Sequence, residues 1–109
     1  MSKTLTELVH GTNKRVYVYL SDMETIRIFI NNAEKEGFSF SENKRVSDMP
    51  LDNFYALNKN STVNYINFIG RVAYQCGAEN IYELIIKKFS RSEEHHIPGL
   101  SIRKERLQM

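Results

Sequence analysis

Between Arg15 and Cys76 the apolar positions change from a strand-like to a helix-like spacing and back. Arg15-Val16-Tyr17-Val18-Tyr19-Leu20 is filled with β-branched and aromatic side chains, the residue types that suit a pleated, half-buried surface. Val16, Val18 and Leu20 fall on one face and Tyr17 and Tyr19 on the other. Two apolar faces predict a central strand covered on at least part of each side. Ser21-Asp22-Met23-Glu24 then reads as a helix start, with Ser21 as N-cap and Glu24 three positions on. Ile26, Phe29, Ile30 and Ala33 follow at i, i+3, i+4 and i+7, one face of an α-helix. Gly37 stands where a left-handed C-terminal turn would close it.

Further along, Phe38-Ser39-Phe40 alternates and begins a short strand. Residues 41–50 are polar and end in Met49-Pro50, a surface loop. Phe54-Tyr55-Ala56-Leu57 and Thr62-Val63-Asn64-Tyr65-Ile66 flank Asn58-Lys59-Asn60-Ser61, which predicts a hairpin. From Phe68 to Cys76 two readings stay open. One is a strand running past a bulge at Gly70; the favoured one is a loop or short helix after Gly70, with Ile66, Ile69, Ala73 and Cys76 on one side. Ile81 to Phe89 is also ambiguous, and Asn80 as an N-cap tips it toward a helix. At the N-terminus Leu5, Leu8 and Val9 form a short helical stripe, and Thr4 and Glu7 have capping-box spacing. Gly11-Thr12-Asn13 breaks that segment, which is either a small docked helix or a flexible arm. The fold expected is α+β: a small, mainly antiparallel sheet, one amphipathic helix packed on it, and a second helix near the C-terminus. Residues 1–13 form the arm or short helix, 14–90 a single domain, and 91–109 a polar, basic tail.

With 109 residues, of which 41% are hydrophobic and 26% charged, the chain has room for one domain and is not compositionally disordered. A single cysteine, Cys76, excludes an internal disulfide framework and a cysteine-rich zinc site. With no apolar stretch of membrane-spanning length, this predicts a cytoplasmic protein with no membrane partner. The net charge of +2 is too small to imply nucleic acid, but its distribution is uneven. From Lys87 onward six basic residues (Lys87, Lys88, Arg91, Arg103, Lys104, Arg106) face three acidic ones (Glu93, Glu94, Glu105). Such a tail can touch phosphates or an acidic protein face, or simply keep a terminus solvated.

Candidate chemistry is sparse. Glu93-Glu94-His95-His96 is the one cluster of metal-capable side chains, and adjacent residues converge poorly on one ion. Cys76 could serve as a nucleophile with His10, His95 or His96 as base, but nothing in the sequence lowers its pKa, and a small buried hydrophobe is the plainer role. Asp22 and Glu24 suit a helix start better than acid–base work. No glycine-rich phosphate loop is present. The expectation is a non-enzymatic protein with no cofactor and no metal. The aromatic residues are more suggestive. Tyr17, Tyr19, Tyr55, Tyr65 and Tyr74 each combine an apolar body with a polar tip. On an exposed sheet face, with Arg15, Lys59 and Arg71 nearby, they would anchor a protein partner or stack unpaired bases. Otherwise they complete the core.

Asn32-Ala33-Glu34-Lys35-Glu36-Gly37-Phe38-Ser39-Phe40 and the later Asn64-Tyr65-Ile66-Asn67-Phe68-Ile69-Gly70-Arg71-Val72-Ala73-Tyr74 resemble segments of a group of small proteins from phages and mobile elements of low-GC Gram-positive bacteria. In that group a Val-Tyr-Val-Tyr-like strand leads into a helix ending in Ala-Glu-x-Glu-Gly-Phe. A hairpin then ends in Asn-Tyr-aliphatic-x-Phe-aliphatic-Gly. The likeness spans Arg15 to Cys76, and no activity of the group transfers residue by residue. It implies a phage or mobile-element setting, where small non-enzymatic proteins act by binding a host protein, for instance as anti-CRISPR or other anti-defence inhibitors.

The first expectation is therefore a phage accessory protein that binds a host protein stoichiometrically, for example a nucleic-acid-handling defence effector. Its contact residues would be Tyr17, Tyr19, Tyr55, Tyr65, Arg71 and Tyr74, plus Lys87, Lys88, Arg91, Arg103, Lys104 and Arg106. The alternative is a nucleic-acid-binding module placing Arg15, Lys44, Arg45 and the tail cations on phosphates. A self-associating protein, such as a homodimer that exchanges its tail, is the third.

Overall fold

The computed structural model describes residues 4–40, 43–86 and 97–103. The elements run α1 (Leu5–His10), β1 (Val16–Leu20), α2 (Met23–Lys35), a 3₁₀ turn (Val46–Asp48), β2 (Phe54–Leu57), β3 (Val63–Tyr65), α3 (Asn67–Gln75), β4 (Ile81–Ile86) and β5 (Leu100–Ile102). The strands form one sheet in the order β3-β2-β1-β4-β5. Every pairing is antiparallel except β1 with β4, which is parallel. The fold is α+β, with a mixed but mostly antiparallel sheet.

β1 is the central strand, as its two apolar faces require. Val16, Val18 and Leu20 are fully buried under α2, with Ile26, Phe29, Ile30 and Ala33 from the helix, Leu57 and Val63 from the hairpin, and Leu84 from β4. Tyr17 and Tyr19 point to the opposite face. There they join a smaller cluster of Phe54, Ala56, Ile66 and Ile81, covered by Ala73 and Tyr74 of α3. The domain thus has three layers, with α2 on one face of the sheet and α3 on part of the other.

α2 occupies the predicted span, but its cap is Asp22 instead of Ser21. The Asp22 carboxylate accepts from the Thr25 amide and hydroxyl, both at 2.8 Å. These hydrogen bonds hold the Asp22 carboxyl below its usual range. The helix closes through Gly37 with paired bonds, Phe38 N–H to Ala33 O at 2.9 Å and Gly37 N–H to Glu34 O at 3.1 Å. The hairpin forms as expected. Phe38-Ser39-Phe40 contributes only a bridge between Ser39 and Thr62.

The core extends beyond residues 14–90 at both ends. α1 forms with the predicted Thr4–Glu7 capping box, and Leu5, Leu8 and Val9 are buried. Glu36, just past α2, pins its N-terminus: the carboxylate accepts from Leu5 N–H (3.1 Å), Thr6 N–H (2.8 Å) and Thr6 Oγ1 (2.7 Å). A six-residue helix is marginal alone, so Glu36→Ala is expected to cost about 1–2 kcal/mol. Hydrogen exchange of the Leu5 and Thr6 amides checks this, and unchanged protection would refute it. At the other end, the expectation that 91–109 is a polar tail outside the domain fails for residues 97–103. Ile97 and Leu100 are fully buried, Leu100–Ile102 pairs with β4, and the buried Asn32 donates to Pro98 O at 2.8 Å.

Two expectations about elements are corrected. Ile81–Ile86 is a strand, so the second helix near the C-terminus does not form there. Asn80 caps no helix; its side-chain amide donates to Arg15 O at 2.6 Å, and its backbone carbonyl accepts from Tyr17 N–H at 2.9 Å, which aligns β4 with β1. The second correction is α3, which begins at Asn67, before Gly70. It buries Gly70 and half-buries Ala73 and Tyr74, while Ile69 and Cys76 face outward. Cys76 is thus an exposed thiol, not the buried hydrophobe expected.

Candidate interaction face

α3 is built with its apolar residues on both sides. Its inner side sits on the sheet through Gly70, where a Cβ would come within 2.8 Å of Phe54 Cβ and of Ile66 Cδ1. Hydrogen is the only side chain that permits this approach. Tyr74 then tilts against Tyr19 with ring centroids 4.5 Å apart, and Tyr19 stacks on Phe54 at 4.8 Å. No side chain caps the N-terminus of α3. Its C-terminus turns at Gly77, φ +71°, with Ala78 N–H bonded to Ala73 O at 3.0 Å and Gly77 N–H to Tyr74 O at 3.2 Å. An uncapped nine-residue helix owes its stability to this packing. The outer side carries Phe68, Ile69 and Val72, which are 72%, 56% and 40% exposed.

Beside this stripe an open cleft of ≈ 370 Å³ lies between α3 and the sheet, lined by Tyr19, Phe54, Tyr74 and Arg71 with Ser21, Asn53 and Gln75. Arg71 is the one charged residue in that lining. Its guanidinium carbon lies 5.9 Å from the centre of the Phe54 ring, and among the described residues it makes no ion pair. Behind Tyr74, the buried Glu83 accepts from Tyr74 Oη at 3.0 Å and pairs with Arg103 at 3.6 Å. Partial burial and this bonded carboxylate both push the Tyr74 phenol up. A carboxylate matched in this way is a tie between α3 and β4.

The expected tyrosine face divides. Tyr17 and Tyr19 are half-buried on the α3 side, whereas Tyr55 and Tyr65 alternate to the α2 side. Tyr55 is withdrawn as a contact residue because it is 1% exposed, packed between Phe29 and Tyr65, with its Oη accepting from Asp52 N–H at 3.0 Å. Tyr65 is half-buried, and its hydroxyl donates to Pro50 O. The structure brings together Tyr19, Arg71 and Tyr74. Arg15 is occupied by Asn58 (3.0 Å) and Asn64 (2.8 Å), with Tyr17 under its guanidinium at 6.0 Å. Arg45 pairs with Glu34 at 3.5 Å. Lys87, Lys88, Arg91, Lys104, Arg106 and the Glu93–His96 cluster lie outside the described residues. Within the described residues nine basic side chains face nine acidic ones, so no excess cationic charge is available there for phosphates.

Phe68, Ile69 and Val72 were missed as surface residues because an apolar side chain in a sequence reads as core. A sequence signal for the helix itself did exist: Gly77, at positive φ, marks its end.

No group of three or more metal-capable side chains occurs among the described residues, and no helix among them is long and apolar enough to cross a membrane. Compared with protein-family models, curated proteins and solved structures, the chain matches none.

Proposed function

We propose that this protein works by stoichiometric binding to another protein, with the outer side of α3 as the contact. The supporting observation is the exposure of Phe68, Ile69 and Val72 on a helix whose inner side is already committed to the sheet. Three large apolar side chains at i, i+1 and i+4 form a contiguous patch of the kind that marks interaction sites, and an amphipathic helix face is a common recognition element. Tyr19, Arg71 and Tyr74 border it, and tyrosine and arginine are the residue types enriched among binding hot spots. The narrower reading, a phage or mobile-element protein that blocks a host defence effector such as a CRISPR nuclease, rests on the resemblance alone.

The test compares the full chain with Phe68→Asp/Ile69→Asp as bait in a host lysate, with unfolding midpoints measured for both. A near-stoichiometric protein held by the unaltered chain and lost from an equally stable variant is the expected result. Equal capture by both would refute the α3 assignment. Fluorescence anisotropy with single- and double-stranded oligonucleotides runs in parallel. Binding that weakens steeply with salt would favour a nucleic-acid module instead.

A further inference from the structure

The cleft beside α3 differs from the stripe in one respect: it holds a cation that makes no ion pair among the described residues. Arg71 follows Phe68 by three residues and precedes Gln75 by four, so the three side chains form one row along the helix. That row starts at the apolar patch and ends in the cleft lining. Aromatic rings make up much of the remaining wall, with Tyr19 stacked on Phe54 and tilted against Tyr74. Glu83, the buried carboxylate among the described residues, is already held by Tyr74 and Arg103.

We propose that this cleft receives a carboxylate borne on an aromatic or aliphatic segment of the partner protein, and that the Arg71 guanidinium recognises it. The proposal rests on the docking reading above and names the chemistry of the partner. A guanidinium offers a planar fork that matches a carboxylate through two parallel hydrogen bonds. The adjoining rings accept the apolar body that carries the carboxylate, and Phe68 and Val72 accept the next side chains along the segment. A phosphate fits less well: the lining supplies one cation only, and the described residues as a whole are charge-balanced.

The test uses small probes on the full, isotope-labelled chain, followed by NMR. N-acetylphenylalanine carries the carboxylate, N-acetylphenylalaninamide lacks it, and inorganic phosphate reports a general anion site. The carboxylate probe is expected to shift the Arg71 Nε–H signal together with the Tyr19, Tyr74 and Gln75 amides. The amide probe should bind about tenfold more weakly or worse, as loss of a charge-assisted pair requires. Arg71→Gln should remove the difference between the two probes, and Arg71→Lys should restore part of it. Equal binding of the acid and amide probes would overturn the proposal. So would phosphate shifting the same signals at lower concentration, or an unaltered preference in Arg71→Gln. Arg71 is exposed on α3, so its variants are expected to unfold at the same temperature as the parent. Should the carboxylate assignment fail while Phe68→Asp/Ile69→Asp still abolishes capture, the docking face stands and only its acidic partner is lost.

Discussion

Gly70→Val is expected to lower stability by about 2 kcal/mol, seen as a fall of roughly 10 °C in the thermal midpoint. The position has no room for even one carbon. A Cβ there meets Phe54 Cβ and Phe54 Cδ1 at 2.8 Å, and Ile66 Cδ1 at the same distance. The Ile66 methyl is the end of a flexible side chain and can swing aside, but Phe54 Cβ is fixed to β2 and cannot. The helix must therefore lift, which separates Tyr74 from Tyr19 and opens the smaller core cluster to water. Valine gains some helix propensity over glycine, on the order of half a kcal/mol, too little to offset the overlap. Gly70→Ala should show a smaller loss, because alanine recovers nearly 1 kcal/mol of propensity against part of the same clash. Differential scanning calorimetry of both variants decides the matter. A Gly70→Val midpoint equal to the parent's would mean that α3 does not sit on Phe54, and the interaction face would have to be redrawn.

Raising the pH from 10 to 12 is expected to remove about 2 kcal/mol of stability through Tyr55 alone. Burial pushes its phenol up from 10.0 to about 12, with a smaller opposing effect from the Asp52 N–H. A group whose pKa is raised by folding favours the fold in its protonated form. Its contribution is complete below the unfolded value near 10 and disappears as the pH climbs through about 12. Tyr65 and Tyr74 are raised in the same direction and add to the effect. An ultraviolet titration of the folded protein should resolve late-ionising phenols, and the last of them should ionise together with unfolding. Tyr55→Phe should lose that coincident step, and at neutral pH about 1 kcal/mol of stability with the hydrogen bond to Asp52 N–H. If all six tyrosines ionise in one step near pH 10 without unfolding, Tyr55 is not enclosed as described.

The candidate face shows where reading a sequence reaches its limit. Arg71 and Tyr74 could be named from residue type, since both combine an apolar surface with polar recognition. Their convergence with Tyr19 could not, because Tyr19 is 52 positions from Arg71 in the chain and the two meet only when α3 folds over β1 and β2. Tyr55 failed for the complementary reason. A tyrosine in a strand has two faces available, and the pairing of Tyr55 with Val18 and Tyr65 turned it under α2.

Local order determined what the chain could state by itself: the β1 strand with its two apolar faces, the α2 helix, the Asn58–Ser61 hairpin and the capped α1 turn. Each rests on side chains within a few positions of one another, where spacing and capping act directly. The identity of β4, the extent of α3 and the burial of Ile97 and Leu100 were decided by the tertiary structure. Ile81–Ile86 satisfies a helical and an extended spacing about equally, and pairing with β1 on one side and β5 on the other resolves it in favour of strand. α3 begins without a cap and holds its place because Gly70 lets it approach Phe54. The same approach faces Phe68, Ile69 and Val72 toward solvent, since a helix seated by one side must present its other to whatever lies outside.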